Sequence, residues 1–350
     1  MTDLKSRNQS LDVLRGVAIL LVLGRHGPDY FHAWHRFGLM GVDLFLTLSG
    51  FLIAGLLFAE YKLYGRIDLK RFLIRRGFKI YPAYYVFLLL LLPFTVHRVR
   101  LADFVFLQSY LPHFWGHAWS LAIEEHFYLA LPLLLILSLK MKPQNDFSWI
   151  PYSYPLIAFA CLAVRFHGGT SSTNWSHARA DALFLGVALA WFYHFYPNRL
   201  RVTYGAWLLL LAFPLLWPSF VYDWKSPFAA TWMLLLRSLG FGCILVWGIN
   251  SSWLGKLKPV AKIGFYSYSI YLWHWPVATF FESVDPSLFW FVLYVAVSCA
   301  VGIAMAKLIE VPMLKVRDRY FHSRTINGQV NKIPFVPRIP TLAGIAEENG

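Results

Sequence analysis

Ten stretches of this 350-residue chain are apolar for roughly the length that crosses a lipid bilayer, and no other feature restricts its fold as severely. A spanning helix needs about 20 apolar residues, with a range near 17–25. Such runs fall at about 10–26, 41–59, 79–97, 119–139, 150–166, 180–196, 203–218, 230–250, 264–282 and 287–309. In lipid, every backbone N–H and C=O must find a partner within the protein, which makes apolar runs of this length helical. Composition agrees: 58% of the residues are hydrophobic and 14% charged, against roughly 45–50% and about 25% in soluble chains. The expected fold is all-α, a polytopic transmembrane helix bundle of about ten spans in contact with the lipid bilayer.

The loops orient the bundle. With the N-terminus inside, one set of loops carries Lys5, Arg7, Lys62, Arg66, Arg71, Arg75, Arg76, Lys140, Lys256, Lys262, Arg317 and Arg319. The opposite set carries far fewer basic residues, among them Arg36, Arg98 and Arg179. That asymmetry satisfies the positive-inside rule and makes both termini cytoplasmic. The expected organisation is one membrane domain over 1–320 and a mobile cytoplasmic tail over 321–350, rich in Pro and Gly. No small-residue cleavage site follows the polar start, so no signal peptide is expected. The net charge of +14 is divided among short loops. It leaves no continuous basic face for a duplex, which excludes a nucleic-acid partner. Cys161, Cys243 and Cys299 lie in apolar runs without metal-ligand spacing, so no metal is expected.

Ionisable groups inside the spans carry the functional signal, because each costs at least about 2.5–3.5 kcal/mol to insert. Arg15 and His26 are eleven positions apart on the first helix, a net turn of only about 20°, with His26 about 16 Å further along. Asp12 falls about 40° to the other side of His26. The stripe reads either as the lining of a pore or as an Asp12–Arg15 pair plus an interfacial histidine. Asp43 opens the second span at about the depth of His26. There it reads as a carboxylate orienting the imidazole or as an acid on the helix dipole. In the fourth span Ser120, Glu124 and Tyr128 share a face by i,i+4 spacing, and Glu125 points about 100° away. The basic run Arg71, Arg75, Arg76 and Lys79 reads as positive-inside anchoring or as a phosphate clamp. His274, in Trp273-His274-Trp275-Pro276, reads first as a hydrogen bonder within the bundle.

These residues together resemble the acyltransferase-3 family of bacterial membrane O-acyltransferases, from about Leu11 to Arg319. The resemblance rests on Leu11-Asp12-Val13-Leu14-Arg15-Gly16 with His26, and on Gly41-Val42-Asp43 with Leu48-Ser49-Gly50-Phe51. It continues in Arg75-Arg76 with Lys79-Ile80-Tyr81-Pro82, and in Trp119-Ser120-Leu121 with Glu124-Glu125-His126-Phe127-Tyr128. Tyr268 to His274 and Glu310-Val311-Pro312 close the series. Lys79 stands where an arginine is usual and His126 where glutamine is common, and Leu46 and Thr47 replace bulkier residues. Some relatives carry a fused hydrolase-like domain, for which this chain is expected to be too short.

The resemblance implies an enzyme of the bacterial inner membrane that transfers an acyl group, acetyl above all, from cytoplasmic acyl-CoA to a hydroxyl of a saccharide or glycosylated acceptor. His26 would be the general base and Asp43 its orienter, with Arg15 and Glu124 also catalytic. Arg75, Arg76 and Lys79 would hold the acyl-CoA. Trp119, Ser120, Glu125 and His274 would contact the substrate. The alternative is a transporter or flippase for a glycan or lipid intermediate, which the spans permit but the lack of paired half-sequences does not support.

Overall fold

Apolar periodicity and the need to satisfy backbone groups inside lipid produce helices at every expected span. The computed structural model describes residues 8–142, 146–202, 205–223 and 225–321, and among them there is no strand. The expected tail over 321–350 lies outside the described residues apart from Phe321. In chain order the α-helices are α1 Gln9–His26, α2 His32–Phe37, α3 Met40–Tyr64, α4 Leu69–Thr95, α5 Leu101–Val105 and α6 Trp119–Met141. There follow α7 Trp149–Gly168, α8 Ala180–Phe195, α9 Pro197–Leu200, α10 Trp207–Leu216, α11 Pro218–Val221 and α12 Pro227–Ala230. The last are α13 Trp232–Asn250, α14 Lys258–Phe265, α15 Ser267–Phe281, α16 Leu288–Met305 and α17 Val311–Tyr320.

Among the described residues, six helical stretches are long and apolar enough to cross a membrane: Met40–Tyr64, Leu69–Thr95, Trp119–Met141, Trp149–Asn174, Trp232–Asn250 and Leu288–Tyr320. The other four expected spans are helical but fall short for separable reasons. α1 carries Asp12, Arg15 and Arg25 within its 18 residues. α8 has 16 residues, and Trp207–Val221 is likewise a shorter apolar helix. The stretch 264–282 breaks at Tyr266 into α14 and the 15-residue α15.

The molecule is polar at selected points inside and apolar outside, as expected of a multi-pass membrane protein. Phe94 is 83% and Phe280 82% exposed, while Asp43, Arg165, Asp181 and His274 are buried. α8 lies along α3 and α14 along α1. Both contacts depend on glycine. A Cβ on Gly50 would lie 2.0 Å from the Leu183 carbonyl oxygen, and one on Gly186 would lie 2.2 Å from that of Thr47. Lipid tails offer helices no hydrophobic incentive to associate, so close backbone contact through small residues has to supply it. Near the C-terminus, Pro312 cannot donate to the carbonyl four residues back, and the turn Ala306–Glu310 is wound as a π-helix. This aims Glu310 into the bundle, where Ser269 Oγ donates to its carboxylate at 2.7 Å.

Gly186→Val forces a branched side chain against the α3 backbone, and overpacking of this kind costs about 1–3 kcal/mol or more. The variant is expected to lose thermal stability and monodisperse yield in detergent, measured beside Leu90→Val on the outward face of α4. Equal melting of the two variants would show that the α3–α8 contact is not close-packed.

Candidate active site

The site is assembled where α1 and α15 run side by side. Arg15 Nε donates to Ser267 Oγ at 3.3 Å, and eleven residues later His26 Nδ1 meets His274 Nε2 at 3.2 Å. Both contacts advance in the same direction, so the two helices are parallel and Arg15 and His26 share one face of α1. Asp12 is buried at the start of that stripe.

Between these levels lies a pocket of about 420 Å³. Arg15, Ser120, Glu124, Ser267, Tyr268 and Tyr271 supply its polar lining, and Val42, Phe45, Leu46 and Leu121 its apolar wall. Glu124 is fixed by the Tyr128 hydroxyl, which donates at 2.6 Å. Arg15, Lys79 and Arg76 are the cations that act on its carboxyl. Tyr271 donates its one proton to the His117 carbonyl at 2.7 Å, so Ser120 Oγ donates to Tyr271 at 2.6 Å. These two hydroxyls tie the pocket to the rings above it.

The rings form a cluster of four. His26 lies 5.1 Å from His274 and 4.9 Å, edge-on, from Trp275, by ring centroids. His117 stacks on Trp275 at 5.3 Å and crosses His274 at 5.3 Å. Burial first, and then the His274 and His26 imidazoles, hold His117 well below the ordinary histidine range, so its ring is neutral. His274 is fully buried and His117 nearly so, whereas His26 is only partly buried. His26 is therefore the most exposed imidazole of the cluster.

The structure places several of these residues beside partners other than those expected. Among the described residues Asp43 makes no hydrogen bond to His26. Its Oδ1 accepts from Arg179 Nη2, and its Oδ2 accepts from Arg237 Nη1 at 3.2 Å. Two permanently charged guanidiniums stabilise a buried carboxylate far better than one neutral imidazole does. Arg237 is braced in turn by Ser219 at 2.8 Å. His274, expected to contact substrate, has no exposed surface and is held between His26 and the Tyr271 carbonyl. Arg75 is turned toward α17, where it donates to Asp318 at 3.3 Å and to the Phe321 carbonyl. Arg76 faces inward, its guanidinium 5.6 Å from the Tyr128 ring. Glu125 accepts from the Tyr81 hydroxyl at 3.0 Å, outside the pocket lining. Trp119 covers the Arg179 guanidinium at 5.9 Å. His126 bonds Ser176 at 2.7 Å, again away from the pocket.

Of the residues singled out in the sequence, the structure brings Arg15, Ser120 and Glu124 into one cavity, with Lys79 and Arg76 acting on it, and His26 above it. It adds His117, Tyr271 and Ser267. Tyr271 was visible only as part of a motif. His117 sits in the irregular segment before α6, where no helical period marks an inward side chain.

The family model for the acyltransferase domain matches residues 8–307. The chain is 28% identical to the peptidoglycan O-acetyltransferase OatA of Listeria monocytogenes, over 87% of this chain and 56% of that protein. It is 28% identical to the putative peptidoglycan O-acetyltransferase YrhL of Bacillus subtilis, over 92% of this chain and 57% of that protein. It is 29% identical to a putative O-acetyltransferase of Staphylococcus aureus, over 87% and 57%. The chain thus spans just over half the length of these curated relatives. No solved structure matches it.

Removing Asp43 would strand two buried guanidiniums, and breaking a buried pair on one side costs about 3–5 kcal/mol. Asp43→Ala is expected to lower the melting temperature and folded yield in detergent sharply, while His26→Ala leaves both unchanged. An Asp43→Ala protein that melts like the parent but has lost activity would restore Asp43 to a role at His26.

Proposed function

The chain belongs to this acyltransferase family, and on that premise we propose that it is an O-acyltransferase of the bacterial inner membrane. It moves an acyl group, acetyl in the first instance, from cytoplasmic acyl-CoA to a hydroxyl of a saccharide or glycosylated acceptor. The observation that carries this reading is the alignment of His26, partly buried, on the same face of α1 as Arg15, which lines one pocket together with Glu124. The names of the relatives support an O-acetyl product and a saccharide acceptor, and they favour transfer over translocation.

In this reading the chain crosses the membrane ten times, the four shorter helical stretches included, and both termini are cytoplasmic. The donor approaches from the side bearing the α4 cations. Arg76 and Lys79 attract its phosphates, and Arg75 holds α17 against α4 beside that entrance. The acyl arm enters the pocket past Arg15, and the acceptor arrives from the side of His26.

His26 takes the proton of the acceptor hydroxyl as its oxygen attacks the thioester carbonyl carbon. A C–O bond forms, the C–S bond breaks, and the proton passes to the departing thiolate. Arg15 lies in the pocket wall as a fixed positive charge that contacts the donor along its path toward His26. Glu124, held by Tyr128, and the hydroxyls of Ser120 and Tyr271 provide the polar contacts for substrate.

Purified protein in detergent, labelled acetyl-CoA and an oligosaccharide acceptor provide the assay. His26→Ala is expected to lower transfer by about 10²–10⁴-fold without changing folded yield. Near-normal turnover in that variant would remove His26 as the base. Arg76→Ala is expected to raise the KM for acetyl-CoA several-fold more than that for the acceptor. An unchanged donor KM would remove Arg76 from the donor site.

A further inference from the structure

The general-base reading above requires something that proximity alone does not provide. A neutral imidazole carries its proton on one nitrogen or the other, and only the unprotonated nitrogen can accept. We propose that His274 is a positioning residue that sets the tautomer of His26, leaving Nε2 as the proton acceptor.

A backbone carbonyl fixes the order of donors and acceptors from the interior outward. His274 Nδ1 lies 2.5 Å from the carbonyl oxygen of Tyr271. That oxygen can only accept, so Nδ1 of His274 carries the hydrogen. His274 is completely buried, and among the described residues no carboxylate hydrogen-bonds to it. A second proton on it would therefore be an unpaired buried charge. Its Nε2 is consequently a lone-pair acceptor. That atom faces His26 Nδ1 at 3.2 Å, so the hydrogen between them belongs to His26 Nδ1. His26 Nε2 is left with its lone pair free.

The surrounding rings keep this order from inverting. His117 and Trp275 confine His274 and His26, and neither His117 nitrogen is hydrogen-bonded to another side chain among the described residues. The Tyr271 backbone that anchors the relay belongs to the residue whose side chain lines the pocket. The element that shapes the cavity therefore also sets the protonation pattern of the base. When His26 takes the acceptor's proton, the added charge strengthens its Nδ1–H bond to His274, which stabilises the imidazolium as it forms.

This proposal rests on the general-base reading, and the experiments separate the two. The first measurement is the ¹⁵N spectrum of histidine-labelled protein in micelles, with His26 assigned by its loss in His26→Ala. Wild-type His26 should show a protonated Nδ1 and an unprotonated Nε2. The opposite pattern would overturn the relay whatever the activity. The second is kinetic. His274→Phe keeps a ring of similar size but offers no acceptor. It should lower kcat about 100-fold, with both KM values within about two-fold, in the range seen when a base loses its oriented tautomer. His274→Gln, whose amide can donate to the Tyr271 carbonyl and accept from His26, should restore most of that loss. Full activity in His274→Phe, or an equal loss in Phe and Gln, would overturn the proposal. If His26→Ala itself retained transfer, the general-base reading would fall, and the ¹⁵N pattern would still decide the relay.

Discussion

Charge inside a lipid-embedded bundle has to be answered by the protein itself, and most of this structure follows from how each buried charge is answered. No water is at hand in the hydrocarbon region to solvate an unmatched group. Asp43 is matched by Arg179 and Arg237, Arg165 by Asp181 at 2.8 Å, and Glu310 by Ser269. Glu124 is matched by Tyr128 and by the cations facing it. These pairs lock together helices that the lipid gives little reason to associate. Asp43 alone ties α3 to α13 and to the turn that begins α8. The same two helices, α3 and α8, meet backbone to backbone at Gly50 and Gly186. Close packing and charge pairing thus act on one interface.

What remains after these pairings is informative. Among the described residues, the imidazoles of His26, His274 and His117 are matched with each other, with a backbone carbonyl and with Trp275, and not with carboxylates. A histidine held by a carboxylate in a dry interior is biased toward its charged form. A histidine held by another neutral ring stays neutral and available as a base. The separation of Asp43 from His26 suits the proposed chemistry: the carboxylate stabilises the scaffold, and no acid ties up the imidazole proposed as the base.

Much of this arrangement was legible in the sequence. The angular relation of Arg15 and His26 followed from the helical period alone, and both meet α15. The i,i+4 spacing of Ser120, Glu124 and Tyr128 placed Ser120 and Glu124 in the pocket lining, and the 100° offset of Glu125 placed it with Tyr81. What the sequence did not yield were partners across distance. Asp43 and Arg237 are 194 positions apart, and no local pattern pairs them. Nor does local pattern say that Arg75 turns to α17 while Arg76 turns inward. His117 lies in an irregular segment, where periodicity carries no direction. Each of the ten apolar runs falls on a helix, yet the charges that single out α1 also disqualify it as a span by composition. The length of α15 is set by the break at Tyr266, which no proline or glycine at that position announces.

The two levels of the site also explain why so polar an interior is tolerated. Arg15 and Glu124 line one cavity, so each lowers the cost of burying the other even though no direct bond links them. A substrate that enters between them replaces one favourable field with another instead of entering an empty apolar space. Arg15 lies on the same face of α1 as His26 and about 16 Å from it, which in the proposed reaction separates the donor's negative charge from the proton acceptor. A cation beside the imidazole would oppose the positive charge that a base acquires on taking a proton. Two depths of one helix would let a single element serve both ends of that reaction without the conflict.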